Sequence, residues 1–489
     1  MSRIVMSLVS MAIVSACYAG RQIYTSPETS TERASYDIKI TIEGKKNRDI
    51  LLGKYTGTDI CSVDTAVTNE DGRAAFAGSK PLVPGMYAVM FKKETAFSFL
   101  ISDTVNQKFS ISATKDKYLE TLSFEGSPEN DAFADYSRHI AVRQEKENEL
   151  AGNRKDDNVP LPAYYAETES LTRQIDAMEV EIKNKYPGSL LESVASAMNP
   201  ARPKQGEIAG TSSLARQRRL HDFRKQRYWD KLTLTDIRMK NTPILIPAID
   251  SYFESVIPQR PDSMICAVDF VLSKAESDTA MMKFLTKHIF DKYLQILNGV
   301  GKAKMTGIES VVIHIIDSYY STGKARMDDE MLLKELLEYA DKTRETLPGK
   351  QASNLKMETV SGGAEALYDI DSPYVLLCFF DVSCFHCRSE IPAIYRIYQK
   401  FKNRGVAGFC VYSRNDRKEW IEFISKHKLT DWINAWDPGN ANNFRIAYSV
   451  YSVPQVYVLD KDKKIVGRGL ESASLEQWLN QLIKNKDNE

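Results

Sequence analysis

The stretch YVLLCFFDVSCFHCRSEIP, residues 374–392, decides how the C-terminal part of the chain is read. Tyr374 to Phe380 is an unbroken apolar run. A strand buried on both faces has no need of polar alternation, so such a run reads as an inner strand of a covered sheet. The residues from Cys384 to Lys402 read as a helix. Cys384 and Cys387 therefore stand where a buried strand gives way to a helix. There the free backbone N–H groups and the helix dipole favour a thiolate on the first cysteine. The second cysteine follows one turn later, close enough to close a disulfide. A thiolate is the species that attacks disulfides, which makes Cys384 the expected nucleophile and Cys387 the expected resolving thiol. A C-x-x-C pair is weak alone and strong on a strand-to-helix junction within a βαβ pattern.

Working outward, the pattern keeps alternating. Val406 to Tyr412 reads as a second buried strand and Lys418 to Lys428 as a helix. Gln455 to Leu459 reads as a strand, Asp460 to Lys463 as a turn, and Lys464 to Gly467 as the hairpin partner. Ser474 to Lys486 closes with a helix. Thr346 to Lys356 reads as a linker or the approach to a first strand. Proline is out of place in a central strand, so Pro454, just ahead of one, is expected in a cis Val453–Pro454 peptide facing the redox pair. Asp381 is the nearest carboxylate in sequence. It either ends the strand or, turned inward, assists proton transfer from Cys387. Two side chains between the cysteines modulate the pair. His386 can donate to the Cys384 thiolate or add charge beside it, whereas Phe385 can cover the sulfur and desolvate it. A structural zinc site needs four ligands, and no second C-x-x-C exists. Cys378 and Cys410 fall inside strands and read as buried apolar residues. No metal and no cofactor are expected.

These residues carry a resemblance. Residues 351–489 resemble the TlpA/ResA-like branch of the thioredoxin superfamily. Cys387-Arg388-Ser389-Glu390-Ile391-Pro392 matches its C-R-x-E-x-P, and Val453-Pro454 matches its cis-proline. Tyr457 to Lys464 looks like its final hairpin. Cys384 and Pro454 are 70 positions apart, which leaves room for that branch's extra strand and helix. The resemblance implies a thioredoxin fold and disulfide exchange with protein thiols at Cys384 and Cys387. It also implies that Val453 and Pro454 present backbone to the substrate. Four positions depart from the pattern. Ser383 stands in place of the usual Trp, Phe385-His386 in place of Gly-Pro, and Cys378 in place of a buried acid. They leave the direction of electron flow open. Peroxiredoxins resemble P-x-x-x-T-x-x-C at the reactive cysteine, and the matching positions here hold Leu377 and Asp381.

The chain has 489 residues, with Lys+Arg and Asp+Glu equal at 65 each, so no basic excess points to nucleic acid. Beyond the N-terminus no apolar run approaches a membrane span. The seven cysteines are scattered apart from the one close pair, which is no disulfide scaffold. Arg3 followed by apolar Ile4 to Ala16 reads as an export signal. Val14-Ser15-Ala16-Cys17 resembles a lipobox that would lipidate Cys17. Cys17-Tyr18-Ala19 offers an ordinary cleavage site instead. A periplasmic or outer-membrane location is expected, with the membrane touched only through such an anchor.

Residues 36–125 read as an all-β domain, a small sandwich or open barrel, because Ile38, Ile40 and Ile42 alternate with polar residues, as do Phe97, Phe99 and Ile101. Ser127-Pro128 is a helix start. Residues 126–350 read as an all-α domain with stripes such as Leu171, Ile175, Met178 and Ile182. Arg216 to Arg219 reads as a solvated basic loop. The expected organisation is a multidomain chain: signal 1–19, linker 20–35, all-β domain 36–125, helical domain 126–350 and α/β thioredoxin-like domain 351–489. Gly126-Ser127-Pro128-Glu129-Asn130, followed by Phe133 and Tyr136, is similar to the junction in modular lipoproteins of Bacteroidota. Two functional readings follow. One is an envelope thiol–disulfide oxidoreductase. The other is an envelope binding protein whose redox domain is regulatory or vestigial, and it should keep its function when both cysteines are serine.

Overall fold

A computed structural model describes residues 35–92, 94–153, 161–203, 207, 212–297 and 307–486. The expected export segment, Cys17 and nearly all of the expected 20–35 linker lie outside the described residues. The described chain clusters into two units. One holds the residues up to Gln259 together with Asp269–Phe284; the other holds Arg260–Val268 and everything from Leu285 onward.

The first unit opens with eight strands. They are β1 (Tyr36–Glu43), β2 (Asp49–Thr56), β3 (Asp59–Val67), β4 (Arg73–Gly78), β5 (Gly85–Phe91), β6 (Glu94–Ile101), β7 (Lys108–Thr114) and β8 (Ser123–Glu125). They form two four-stranded sheets, ordered β4-β1-β7-β8 and β3-β2-β5-β6. The alternation in β1 sends Ile38, Ile40 and Ile42 inward. They share one core with Phe76 and Ile111 of their own sheet and Leu52, Val89 and Phe99 of the other. Period-2 burial from two facing sheets is the packing of a β-sandwich. Gly72 makes the tight return into β4 at φ 76. A Cβ there would lie 2.2 Å from the Ile42 carbonyl oxygen, so only glycine fits.

Helices follow: α1 (Pro128–Asn153), α2 (Leu161–Lys185), α3 (Leu190–Met198), α4 (Ser213–Arg227) and α5 (Leu245–Ser251). The α1 start is tied to the sandwich by Asn130, which is 2% exposed. Its side chain accepts from Leu100 N at 2.7 Å and donates to Leu100 O at 2.9 Å. The basic run Arg216 to Arg219 is not a loop but part of α4. Ser212 caps that helix by accepting from Ala215 N at 3.2 Å. The residues after it, Leu214, Ala215, Arg216 and Gln217, are strong helix formers, and a serine cap ahead of them outweighs charge clustering.

Two further helices, α6 (Pro261–Ser273) and α7 (Thr279–Leu297), run through both units' residue ranges. The second unit continues with α8 (Ile308–Ile315) and α9 (Glu330–Arg344). Then come β9 (Lys356–Thr359), β10 (Ala364–Ala366), β11 (Tyr374–Phe380), α10 (Phe385–Phe401), β12 (Val406–Tyr412), α11 (Arg417–His427), β13 (Ile433–Trp436), the short α12 (Phe444–Ala447), β14 (Gln455–Asp460), β15 (Ile465–Arg468) and α13 (Ser472–Lys486). One seven-stranded sheet orders them β10-β9-β13-β12-β11-β14-β15. Central β11 runs parallel to β12 and antiparallel to β14.

Alternate residues of β11 serve different cores. Leu376, Cys378 and Phe380 pack with Ile391 and Ile394 of α10 and Leu475 of α13. Val375, Leu377 and Phe379 pack on the opposite side with Phe444, Tyr448 and Tyr457. Both faces are covered, which is why the run lacks polar residues. The segment before β9 is a strand approach and not a loose linker: Gly349 N donates to Ile465 O at 2.7 Å and Ala352 N to Lys463 O at 2.9 Å. The chain therefore has an N-terminal β-sandwich-like region, a central helical region and a C-terminal α/β sheet.

Replacing Asn130 by Ala strands the buried Leu100 N–H and C=O. Urea unfolding should show about 2–4 kcal/mol lost from the transition of the first unit, the cost of unpaired buried groups. A loss below about 0.5 kcal/mol would show that the tie is not structural.

Candidate active site

The end of β11 delivers Asp381 to a turn, and Cys384 becomes the residue that opens α10. Its backbone is extended, φ −77 and ψ 121, and its N–H donates to Asp381 O at 3.2 Å. Its Sγ–H points across to the Val453 carbonyl oxygen at 3.6 Å. Cys384 is half-buried, while Cys387, one turn into the helix, is fully buried. All six described cysteines are free thiols.

Burial sets the two sulfurs apart. Desolvation pushes the Cys387 thiol up to about 12, with the neighbouring Cys384 sulfur raising it further, against a hydrogen bond at the Asp381 backbone. Below Cys387 in the same core lie Cys378 and Cys410, directly paired across β11 and β12. Desolvation also raises Cys410 far above the ordinary thiol range, and both thiols are buried core residues.

The Val453–Pro454 peptide is cis. It stands opposite the helix start and supplies the carbonyl that Cys384 meets. Asp381 is 7% exposed. Its Oδ1 accepts from Ser383 N and Ser383 Oγ, both at 2.8 Å, and its Oδ2 accepts from Arg414 Nε at 2.6 Å. Burial alone would raise this carboxyl, but the bonds from Arg414 and Ser383 outweigh it and hold the group below the usual carboxylate range. A carboxylate so occupied is a weak base. It fixes the turn before Cys384.

Phe385 is 83% exposed, with the Arg388 guanidinium 6.0 Å from its ring centroid. It does not cover the Cys384 sulfur. His386 is exposed too, and its ring makes no hydrogen bond to that sulfur, whose proton is directed to Val453. Glu390, a member of the C-R-x-E-x-P stretch, is buried; it accepts from Ser472 N and, at 3.0 Å, from Ser472 Oγ. It thereby satisfies the Ser472 N–H, which opens α13. The structure thus brings Cys384, Cys387, Asp381, Val453 and Pro454 together and leaves Phe385 and His386 on the exposed rim.

The sequence reading misses Arg414 and Arg445. Both line a groove of about 540 Å³ that also reaches Asp381 and Val453. Arg414 lies in the loop after β12 and Arg445 in the four-residue α12, too short for a pattern to show, so nothing local announces them. The described residues hold no cluster of three or more potential metal ligands among His, Cys, Asp and Glu. No helix among them is long and apolar enough to cross a membrane.

The AhpC/TSA family matches residues 348–468, and a domain of unknown function, DUF4369, matches residues 36–133. The thiol-disulfide oxidoreductase ResA of Bacillus cereus is 27% identical over 139 residues, 28% of this chain and 78% of that protein. The thioredoxin-like protein YneN of Bacillus subtilis is 30% identical over 116 residues, 23% of this chain and 65% of that protein. Among solved structures, a domain of a possible thiol-disulfide isomerase from Cytophaga hutchinsonii is 35% identical, covering 29% of this chain and 97% of that one, TM-score 0.28. A thioredoxin-like protein from Bacteroides caccae is 19% identical, covering 57% of this chain and 96% of that one, TM-score 0.42. The chain is a multidomain protein whose C-terminal part, residues 348–468, matches the AhpC/TSA family and is similar to thiol-disulfide oxidoreductases.

Proposed function

We propose that this chain is a cell-envelope thiol–disulfide oxidoreductase that exchanges disulfides with proteins through Cys384 and Cys387. The observation that carries the reading is the contrast between the two sulfurs. Cys384 is half-exposed at a helix start, and Cys387 is buried with its thiol raised to about 12. The first sulfur stands at the rim of the α10 start, within reach of a substrate disulfide. Desolvation keeps the second protonated.

In the reducing direction, the Cys384 thiolate attacks one sulfur of a substrate disulfide. The other sulfur leaves and takes up a proton. Cys387 then gives up its proton and attacks the Cys384 sulfur, which expels the second substrate thiol. Two electrons pass to the substrate, and the Cys384–Cys387 disulfide remains. The reverse sequence oxidises a dithiol by the same bonds. The carbonyl of Val453, beside Pro454, offers an acceptor to a substrate backbone lying over the pair. Asp381 acts as a positioning residue, because its carboxylate is engaged by Arg414 and Ser383.

The peroxidase alternative within the AhpC/TSA assignment lacks its residues, since Leu377 and Asp381 stand where Pro and Thr are needed. Export rests on the apolar segment Ile4 to Ala16 after Arg3, and anchoring on Val14-Ser15-Ala16-Cys17.

The full chain, reduced and mixed with a protein disulfide, should lose two thiols as the substrate gains two. Cys384→Ser should abolish the exchange, and Cys387→Ser should stall it at a mixed disulfide on Cys384. Exchange that survives Cys384→Ser would overturn the assignment. Anchoring predicts an acylated Cys17 as the mature N-terminus and membrane retention lost in Cys17→Ser. An unmodified mature N-terminus at Gly20, by mass, would contradict it.

A further inference from the structure

We propose that the groove beside Cys384 selects peptide substrates that carry an acidic residue next to the exchanging cysteine. This deepens the reading of Cys384 as the attacking thiol and rests on it. The groove is tied to Cys384 at two points, one through its backbone and one through its sulfur. Asp381 O accepts from Cys384 N at 3.2 Å, and Val453 O accepts from Cys384 Sγ at 3.6 Å. Asp381 and Val453 are both groove walls. A peptide held to Cys384 through a mixed disulfide therefore meets the groove within a residue or two of its cysteine.

Four charged side chains line the groove, namely Asp381, Asp437, Arg414 and Arg445. Their formal charges cancel, but their hydrogen-bonding capacity does not. Asp381 spends both oxygens on Ser383 and Arg414. Asp437 spends Oδ1 on Ala441 N at 3.0 Å and Oδ2 on Asn442 N at 2.9 Å and Asn442 Nδ2 at 3.1 Å. The arginines have donors left. Arg414 gives only Nε, to Asp381, and its side chain is 61% exposed. Arg445 gives only Nη2, to the Ser413 carbonyl, and stacks its guanidinium 5.3 Å from the Phe444 ring centroid. A guanidinium carries about five N–H donors in a planar fork that matches a carboxylate. The groove therefore holds unused donors from two arginines while its acids are already engaged. The complement is a ligand that supplies acceptor oxygens and negative charge.

A carboxylate near the reacting sulfur occurs in an acidic peptide and also in a small thiol such as glutathione. The rim favours the peptide. Tyr451, 46% exposed, stands on the groove, and Phe385, 83% exposed, immediately follows Cys384. Such exposed aromatic side chains provide contact area for a chain longer than a tripeptide.

The test uses the reduced full chain and disulfide-linked peptides identical except for Glu, Gln or Lys beside the cysteine. Exchange with the Glu peptide should exceed Gln by about five-fold, the scale of a charge-assisted hydrogen bond, and Lys should be slowest. The Glu preference should shrink at about 0.5 M salt. Arg445→Gln should bring the Glu and Gln rates together. Arg445→Lys, which keeps charge but loses the fork, should retain part of the preference and guards against a folding failure in the first variant. Equal Glu and Gln rates in the wild type, or a preference untouched by both variants, would overturn the proposal. So would an Arg445-dependent preference confined to glutathione disulfide. A labelled peptide with Ser for Cys separates the two claims. Glu-over-Gln binding lost in Arg445→Gln supports the groove even where no exchange occurs, and exchange without that binding preference refutes the groove alone.

Discussion

The chemistry depends on one burial difference within the first turn of α10. Two sulfurs a turn apart share a helix start, yet Cys387 faces the core of the sheet and Cys384 faces the rim. The core is what makes the difference. Leu376, Cys378 and Phe380 of β11, with Ile391 and Ile394 of α10, surround Cys387 with apolar atoms. Water cannot solvate a thiolate there, so the proton stays. The same fact links chemistry to stability. The folded thiol keeps its proton up to about 12, whereas an unfolded one releases it near its ordinary value. That contribution is complete below the ordinary thiol range and fades as pH rises from there toward about 12.

Polar ties hold this arrangement at its edges. Asp381 takes bonds from Ser383 and Arg414 and so fixes the turn that aims Cys384. Glu390 joins α10 to the start of α13. The cis Val453–Pro454 peptide closes the opposite side and offers its carbonyl to Cys384. Each tie leaves a buried or half-buried polar group satisfied, which is the condition for keeping carboxylates beside an apolar core.

Much of the C-terminal sheet is legible because its signals are local. The apolar run Tyr374 to Phe380 declares a strand covered on both faces, and Val453-Pro454 declares an interruption before β14. The β-sandwich was legible from period-2 alternation in β1 and β6. Other parts were not legible, for physical reasons. The strands β9, β10 and β13 have three or four residues each, too few for a period to show. Arg216 to Arg219 looked like a loop because charge masks helix propensity when the serine cap is overlooked. His386 and Phe385 looked poised to act on the Cys384 sulfur from spacing alone, but the helix start turns both outward. Arg414, in a loop, and Arg445, in the four-residue α12, reach the site through tertiary contacts, and no sequence period encodes those.

The division of labour between the two thiols is read from alkylation rates measured cysteine by cysteine across pH in the reduced full chain. Exposed Cys266 serves as the internal reference. Cys384 should outpace Cys266 at neutral pH, and Cys387 should stay unmodified until the pH approaches about 12 or the domain unfolds. Alkylation of Cys387 as fast as Cys384 at neutral pH would contradict that division of labour.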